Sequence, residues 1–268
     1  RRSSDPFPIA KVEHYPFPFF VRGDDISFGL ANPFRILTLN GVCSWQDSFD
    51  EKASPLTNYL DTRNHLVHLL TGHVHHGENE IHHVLKTFVL RRAEGLLYES
   101  AEAALLAVED VLQGPEFWRQ HLDMSERRQK ISTMTVAEKM RPIEDAELAA
   151  TAKRSSPRRL TNKLAYHLTI KGLLLPRALF RRRAALTHKT FAADRYALFR
   201  FERALYLSQN SQTGFVARFS KPKFLAILAR TAKLQRKLQT QFAQLSQTYR
   251  QGYEELTSRD FWRSVYGR

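Results

Sequence analysis

Two adjacent carboxylates, Asp24 and Asp25, stand in the run Pro18-Phe19-Phe20-Val21-Arg22-Gly23-Asp24-Asp25-Ile26-Ser27-Phe28-Gly29-Leu30, behind an arginine and a glycine and after an aromatic entry. A carboxylate held in a dry cleft at such a helix start can take a proton from a hydroxyl, the task of a general base. The plainer role is an aspartate N-cap beside a salt bridge, and spacing alone favours it. Two acids alone are not a site.

Other chemistry-bearing residues cluster just beyond. Seven of the 11 histidines (His65, His68, His73, His75, His76, His82 and His83) lie within a short stretch. His65 with His68, or His68 with His75 and His76 after a turn at Gly72, could bind zinc if they face one another. The nearby acids Glu78 and Glu80 fall in an expected loop, and no His-Glu-x-x-His spacing occurs, so solvated or hydrogen-bonded histidines are the favoured reading. Cys43, the single cysteine, reads as a small buried strand residue, and it excludes a disulfide framework. Arg63-Asn64 falls on an expected helix, where a surface salt bridge is its ordinary use.

The elements that must position these groups are legible in part. Pro6, Pro8, Pro16 and Pro18 among aromatics disfavour helix and imply an extended segment packed on a core. A short helix follows the aspartates and ends near Asn32-Pro33. Ile36-Leu37-Thr38-Leu39 and Val42 to Trp45 read as strands around an Asn40-Gly41 turn, which confines strand character to about the first 50 residues. From Leu56 the period is helical: Ile81, Val84, Leu85, Phe88 and Val89 form one stripe, and Ala101, Ala104, Leu105, Val108, Val111 and Leu112 another, stopped by Gly114-Pro115. Pro142 and Ser155-Ser156-Pro157 suggest a linker or long loop between about Arg141 and Arg159. Beyond it, Phe224, Ile227, Leu228, Leu234, Leu238, Phe242, Leu245, Tyr249, Tyr253 and Leu256 mark a long amphipathic helix from about Pro222, its first half crowded with Arg230, Lys233, Arg236 and Lys237.

Charge divides the chain. Through Ala150 there are 16 basic and 22 acidic residues, beyond it 25 and 5, so a net of −6 precedes a net of +20 in a total of +14. The second half is built to meet something anionic, nucleic acid or lipid. No zinc finger or RNP signature is present, and the aromatics of the long helix share its apolar stripe, which argues against nucleic acid. No uninterrupted apolar run approaches the roughly 18 residues of a spanning helix, and Arg1-Arg2-Ser3-Ser4-Asp5-Pro6 lacks the apolar core of a signal peptide. The expectation is a cytoplasmic protein, peripheral on the inner face of the cell membrane.

The aspartate segment, followed by Asn40 to Lys52 (NGVCSWQDSFDEK) and Tyr59 to Leu66 (YLDTRNHL), resembles the latter half of the catalytic domain in bacterial family 2 glycosyltransferases of the galactofuranosyltransferase type. Order and spacing match over about Tyr15 to Leu70, with weaker similarity at Gly114-Pro115-Glu116-Phe117 and Ser258-Arg259-Asp260-Phe261-Trp262. The resemblance implies Asp25 as the base that deprotonates an acceptor sugar hydroxyl and Asp24 as its helper in acceptor binding. It implies Phe20, Arg22, Trp45, Arg63 and Asn64 around the acceptor, with Arg63-Asn64 bracing the site. It further implies a Mg or Mn ion on the diphosphate of a UDP-sugar donor, with transfer to a lipid-linked glycan acceptor and inversion at the anomeric carbon. Here the family's Trp-His is Trp45-Gln46, and a neutral amide is a poorer ligand for such an ion than imidazole. Asp47 follows, but a one-residue shift on a strand points to the opposite face.

No Asp-x-Asp precedes the aspartate pair. The chain is therefore expected to be the C-terminal portion of a longer enzyme and to bind nucleotide sugar poorly by itself. The expected fold class is mainly α with a small α/β portion. Residues 1–75 would form the C-terminal part of a GT-A-type catalytic domain, 76–150 a helical extension, and 151–268 a basic helical domain meeting an anionic membrane surface. The reading from a different class is a non-catalytic basic helical module that binds nucleic acid or anionic membrane.

Overall fold

The computed structural model describes residues 9–35, 41, 48–73, 77–152, 159–188 and 195–267, without the side chains of 9, 152, 159–162 and 177. The strands expected at 36–39 and 42–45, with Cys43, Trp45, Gln46 and Asp47, lie outside the described residues. After a 3₁₀ turn at Ile9–Lys11, the first helix, α1, spans Asp24–Ala31 and stops at Asn32, ahead of Pro33 as expected.

Helix α2, Pro55–Thr71, starts where Ser54 and Thr57 cap each other reciprocally and Pro55 fits the first turn, and it ends at Gly72 in a left-handed conformation that glycine adopts at little cost. It is buried on most of its circumference, which makes it the axis of the molecule. The stripe from Ile81 to Val89 lies on α3 (Glu80–Leu85) and a π-helical turn (Lys86–Leu90), which runs on into α4 (Arg91–Glu94) as nearly one continuous rod. Helix α5, Tyr98–Val111, presents Ala101, Ala104 and Val108, all fully buried. Small side chains there let it lie close against α2. Short helices α6 (Glu116–Gln120) and α7 (Ser125–Met134) follow.

The sheet sits where helix was expected. Strand β1 (Arg141–Pro142), helix α8 (Asp145–Ala149) and strand β2 (Thr151–Ala152) occupy the supposed linker; α9 (Arg159–Leu168), β3 (Ala184–His188), β4 (Arg203–Leu207) and β5 (Thr213–Arg218) come next. The order is β1-β5-β4-β3-β2, with β2, β3 and β4 parallel and β4, β5 and β1 antiparallel. Strand character therefore extends well past the first 50 residues, into the block read as a basic helical domain. Local pattern hid it: Ala204, Leu205, Tyr206 and Leu207 are all buried, so β4 lacks the alternation that betrays a half-exposed strand. The sheet joins the helices through Tyr206, which stacks on Phe215 with centroids 5.1 Å apart and donates from Oη to Gly95 O at 2.6 Å.

The chain closes with α10, Lys221–Leu256, and α11, Arg259–Tyr266. The expected apolar stripe of α10 is its inner face, and Tyr249 at the core donates to Val111 O at 2.9 Å. One apolar core draws Phe17 and Phe19 from the N-terminal segment, α2, α3 and α5 from the middle, and α10 with Phe261 from the C-terminus. The architecture is mainly α with a small mixed sheet.

Where α10 crosses the end of α5, Gly252 meets Pro115, and a Cβ added at Gly252 would lie 2.5 Å from both Cβ and Cγ of the proline. Alanine in a helix gains about 1 kcal/mol over glycine, whereas overpacking costs about 1–3 kcal/mol. Gly252→Ala is therefore expected to lower the thermal midpoint, and a raised midpoint would contradict this crossing.

Candidate functional site

The approach to the aspartates has unusual backbone geometry. Phe20, Arg22 and Gly23 take left-handed conformations with φ of 71°, 70° and 88°. For the two non-glycine residues this costs on the order of 1–2 kcal/mol each, so neighbouring contacts must hold it. Gly23 is the residue capping α1, with no side-chain cap, and Asp24 and Asp25 fill the first turn. The expected aspartate N-cap is thus displaced by one residue: the carboxylates favour the helix through its positive N-terminal end. Asp24 is half-buried and Asp25 exposed, and Asp25 Oδ1 accepts from Ile26 N at 2.9 Å. The described residues do not enclose Asp25 in a dry cleft.

The turn is clamped from α2. Arg63 is fully buried, and its guanidinium donates to Phe19 O, to Met124 Sδ at 2.8 Å and to Asn64 Oδ1 at 3.2 Å. Its plane lies over the Trp118 ring at 4.3 Å and the Tyr59 ring at 5.5 Å. Burial pushes its pKa below the usual arginine range. Asn64 Nδ2 then donates to Val21 O at 3.1 Å and to Arg22 O. The Arg63-Asn64 pair, weighed from sequence as a surface salt bridge or a brace, is a brace. It ties down three carbonyls along the left-handed turn.

Arg22 makes a two-pronged ion pair with Asp61 of α2, at 2.5 and 2.8 Å, and its guanidinium also lies 5.9 Å from the Phe49 ring. Phe20 is 40% exposed, with the Arg128 guanidinium 5.4 Å from its ring. Phe20, Arg22, Asp24, Asp25, Arg63 and Asn64 are thus brought together, but Arg63 and Asn64 are both buried and face no ligand.

The C-terminal helices support the same segment. Tyr253 Oη shares a hydrogen bond with Ser27 Oγ at 2.8 Å, and its ring stacks on Phe17 with centroids 5.2 Å apart. Trp262 Nε1 donates to Pro16 O at 3.0 Å, and Tyr15 N donates to Thr257 O at 2.7 Å. Asp61, Met124, Trp118, Tyr253 and Ser27 were not singled out as site residues from sequence. The hints were positional: Ser27 within the aspartate run, Asp61 within the Tyr59–Leu66 motif, Trp118 just after Gly114-Pro115-Glu116-Phe117, and Tyr253 in the stripe of the long helix.

Of the described histidines in this cluster, some make local hydrogen bonds and others stand at the surface. His65 Nδ1 pairs with Asp61 O at 2.8 Å, His73 Nδ1 with Thr71 Oγ1 at 2.5 Å, and His82 and His83 are exposed. His75 and His76 lie outside the described residues. Among the described residues no group of three or more His, Cys, Asp or Glu side chains could hold a metal ion. His68 packs on Phe19 with centroids 5.2 Å apart, and its Nε2 faces the Gly23 backbone without a hydrogen bond of normal geometry.

A family model described as galactofuranosyltransferase-2, domain 3, matches residues 81–268, and the chain belongs to that family. No curated protein matches it. The match starts at Ile81, so it covers the frame that carries Trp118, Met124 and Tyr253 but neither α2 nor the aspartates.

Two measurements test the clamp. Arg63→Lys keeps a charge but loses the planar fork and the ring stacking, and breaking one side of a buried polar cluster costs about 3–5 kcal/mol. A thermal midpoint within error of the parent would contradict the clamp. Burial also lowers His68 from 6.5 to about 4. The unfolded chain then binds more protons between those values, so stability is full above pH 6.5 and falls as pH drops toward 4. His68→Leu should flatten that part of the denaturation profile; an unchanged slope would show that His68 is not its source.

Proposed function

We propose that this chain is the C-terminal part of an inverting glycosyltransferase with a GT-A-type catalytic domain. It transfers galactofuranose from a UDP-linked donor to a lipid-linked glycan acceptor in cell-surface polysaccharide synthesis. The observation that carries the reading is the Arg63-Asn64 clamp, which holds the turn bearing Asp24 and Asp25 at the head of α1. Membership of the galactofuranosyltransferase-2 domain 3 family supports it.

In this reading Asp25 is the general base. Its Oδ1 already accepts from Ile26 N, which leaves Oδ2 toward the acceptor. The acceptor hydroxyl gives its proton to that oxygen as its own oxygen bonds to the anomeric carbon; the bond to the UDP oxygen breaks and UDP leaves with the electron pair. Asp24, half-buried beside it, binds the acceptor, and Phe20 supplies an apolar face for the sugar ring. Arg22, paired with Asp61, and Asn64 fix the turn while Arg63 acts from behind it. The resemblance adds Trp45 to the residues that contact the acceptor. Donor binding falls to the nucleotide-binding half that the resemblance places ahead of this sequence.

Gln46 and Asp47 are the ligands this chain would offer a Mg or Mn ion. A neutral amide is a weaker donor than imidazole, so this corner does not fit the ion well, and the steps assigned to the chain are those of its carboxylates.

Asp25→Asn in the full-length enzyme is expected to reduce sugar transfer by about 100-fold or more, with the thermal midpoint essentially unchanged because the side chain is at the surface. Transfer at the parent rate would remove Asp25 as the base and favour a non-catalytic basic module.

A further inference from the structure

His68 is 8% exposed, and neither of its ring nitrogens finds a hydrogen-bond partner among the described residues. Burying two bare nitrogens costs free energy that packing alone does not offset. Leucine would fill the same space against the Phe19 ring without that cost.

The place of the ring in the clamp gives it a use. His68 follows Asn64 by one turn of α2, so the two side chains share a face. Asn64 Nδ2 donates to Val21 O and Arg22 O, and a Cβ built on Gly23 would meet His68 Nε2 at 3.2 Å and Asn64 Cβ at 3.7 Å. Gly23 therefore lies over this pair, with no side chain of its own between its backbone and the imidazole. Burial, His73 and His65 disfavour the charged ring, whereas the Gly23 backbone and the Asp25 carboxylate favour it. A backbone group that favours a protonated imidazole is a carbonyl oxygen, so the ring faces Gly23 O as a donor. That oxygen already accepts from Ser27 N at 2.9 Å, the first hydrogen bond of α1, and it has a second lone pair to offer.

We propose that His68 is a positioning residue for sugar transfer: as the acceptor settles against Asp24 and Asp25, Nε2–H of His68 closes on Gly23 O. The bond continues the series that Asn64 makes to Val21 O and Arg22 O, and it sets the direction of the first turn of α1 and of the Asp25 carboxylate on it. Hydrogen bonds around reacting groups commonly tighten as substrate binds, which is the closure proposed. The role rests on the reading of Asp25 as the base.

Kinetics of the full-length enzyme with UDP-galactofuranose and a synthetic lipid-linked galactan acceptor test it through two variants. His68→Leu keeps the packing and removes the donor; His68→Gln keeps an N–H at similar reach. His68→Leu is expected to lower kcat about tenfold or more, with KM for the donor unchanged and a thermal midpoint no lower than the parent's, which shows that it folds. His68→Gln should recover most of the lost kcat. A packing role would give the opposite order, since leucine serves it better than glutamine. Parent kcat in His68→Leu, or equal losses in the two variants, would overturn the proposal and leave Asp25 as the base. The ring ¹⁵N shifts of the parent give a second readout: the proton must sit on Nε2 at neutral pH, and a proton on Nδ1 would overturn the proposal. Failure of the parent itself to transfer would overturn the glycosyltransferase reading, and the positioning role with it.

Discussion

The buried guanidinium of Arg63 is the constraint on which the site depends. A cation with no exposure must find its partners inside the protein, and Arg63 finds them on separate stretches of chain: Phe19 O in the entry segment, Met124 Sδ after α6, and the rings of Tyr59 and Trp118. Losing either acceptor, Phe19 O or Met124 Sδ, leaves a buried donor unpaired, which costs more than the contact contributes when made. The entry segment is therefore held against α2 by a polar interaction with few alternatives, and only in that position do Asn64 and the Val21 and Arg22 carbonyls meet.

The larger fold exists around that arrangement. Tyr59 donates to Asp110 Oδ2 at 2.7 Å, and Arg127 grips the same carboxylate at 2.9 Å through two nitrogens, so α2, α5 and α7 share one buried charge cluster beside Arg63. Helix α10 closes the core from the far side and presents Tyr253 to Ser27 on α1. The sheet is attached farther away, through Tyr206 and through Glu94, which pairs with Lys171 at 2.7 Å and Arg195 at 3.0 Å. The helices of the region matched by the family thus back the aspartate turn, while its sheet is attached beyond them.

Much of the helical frame was legible because period and punctuation agreed: Ser54-Pro55 and Gly72 bound α2, Gly114-Pro115 follows α5, and the α10 stripe repeats over nine turns' worth of consistent spacing. The sheet was not, because its strands are short, partly parallel and stabilised by partners distant in sequence. Arg63 was legible only as a named residue of a motif; nothing local reveals that an arginine will be wholly buried, since that depends on Trp118 and Met124 arriving from elsewhere. The aspartate pair was visible at once, yet its cap was assigned one residue late, because Gly23 caps through backbone geometry rather than through a side chain.

The most direct measurement is a crystal structure of the full-length enzyme with an acceptor glycan bound. The account predicts an acceptor hydroxyl about 2.6–3.2 Å from the Asp25 carboxylate, with Asn64 still donating to the Val21 and Arg22 carbonyls beneath it. An acceptor seated elsewhere, with Asp25 left facing open solvent, would contradict it.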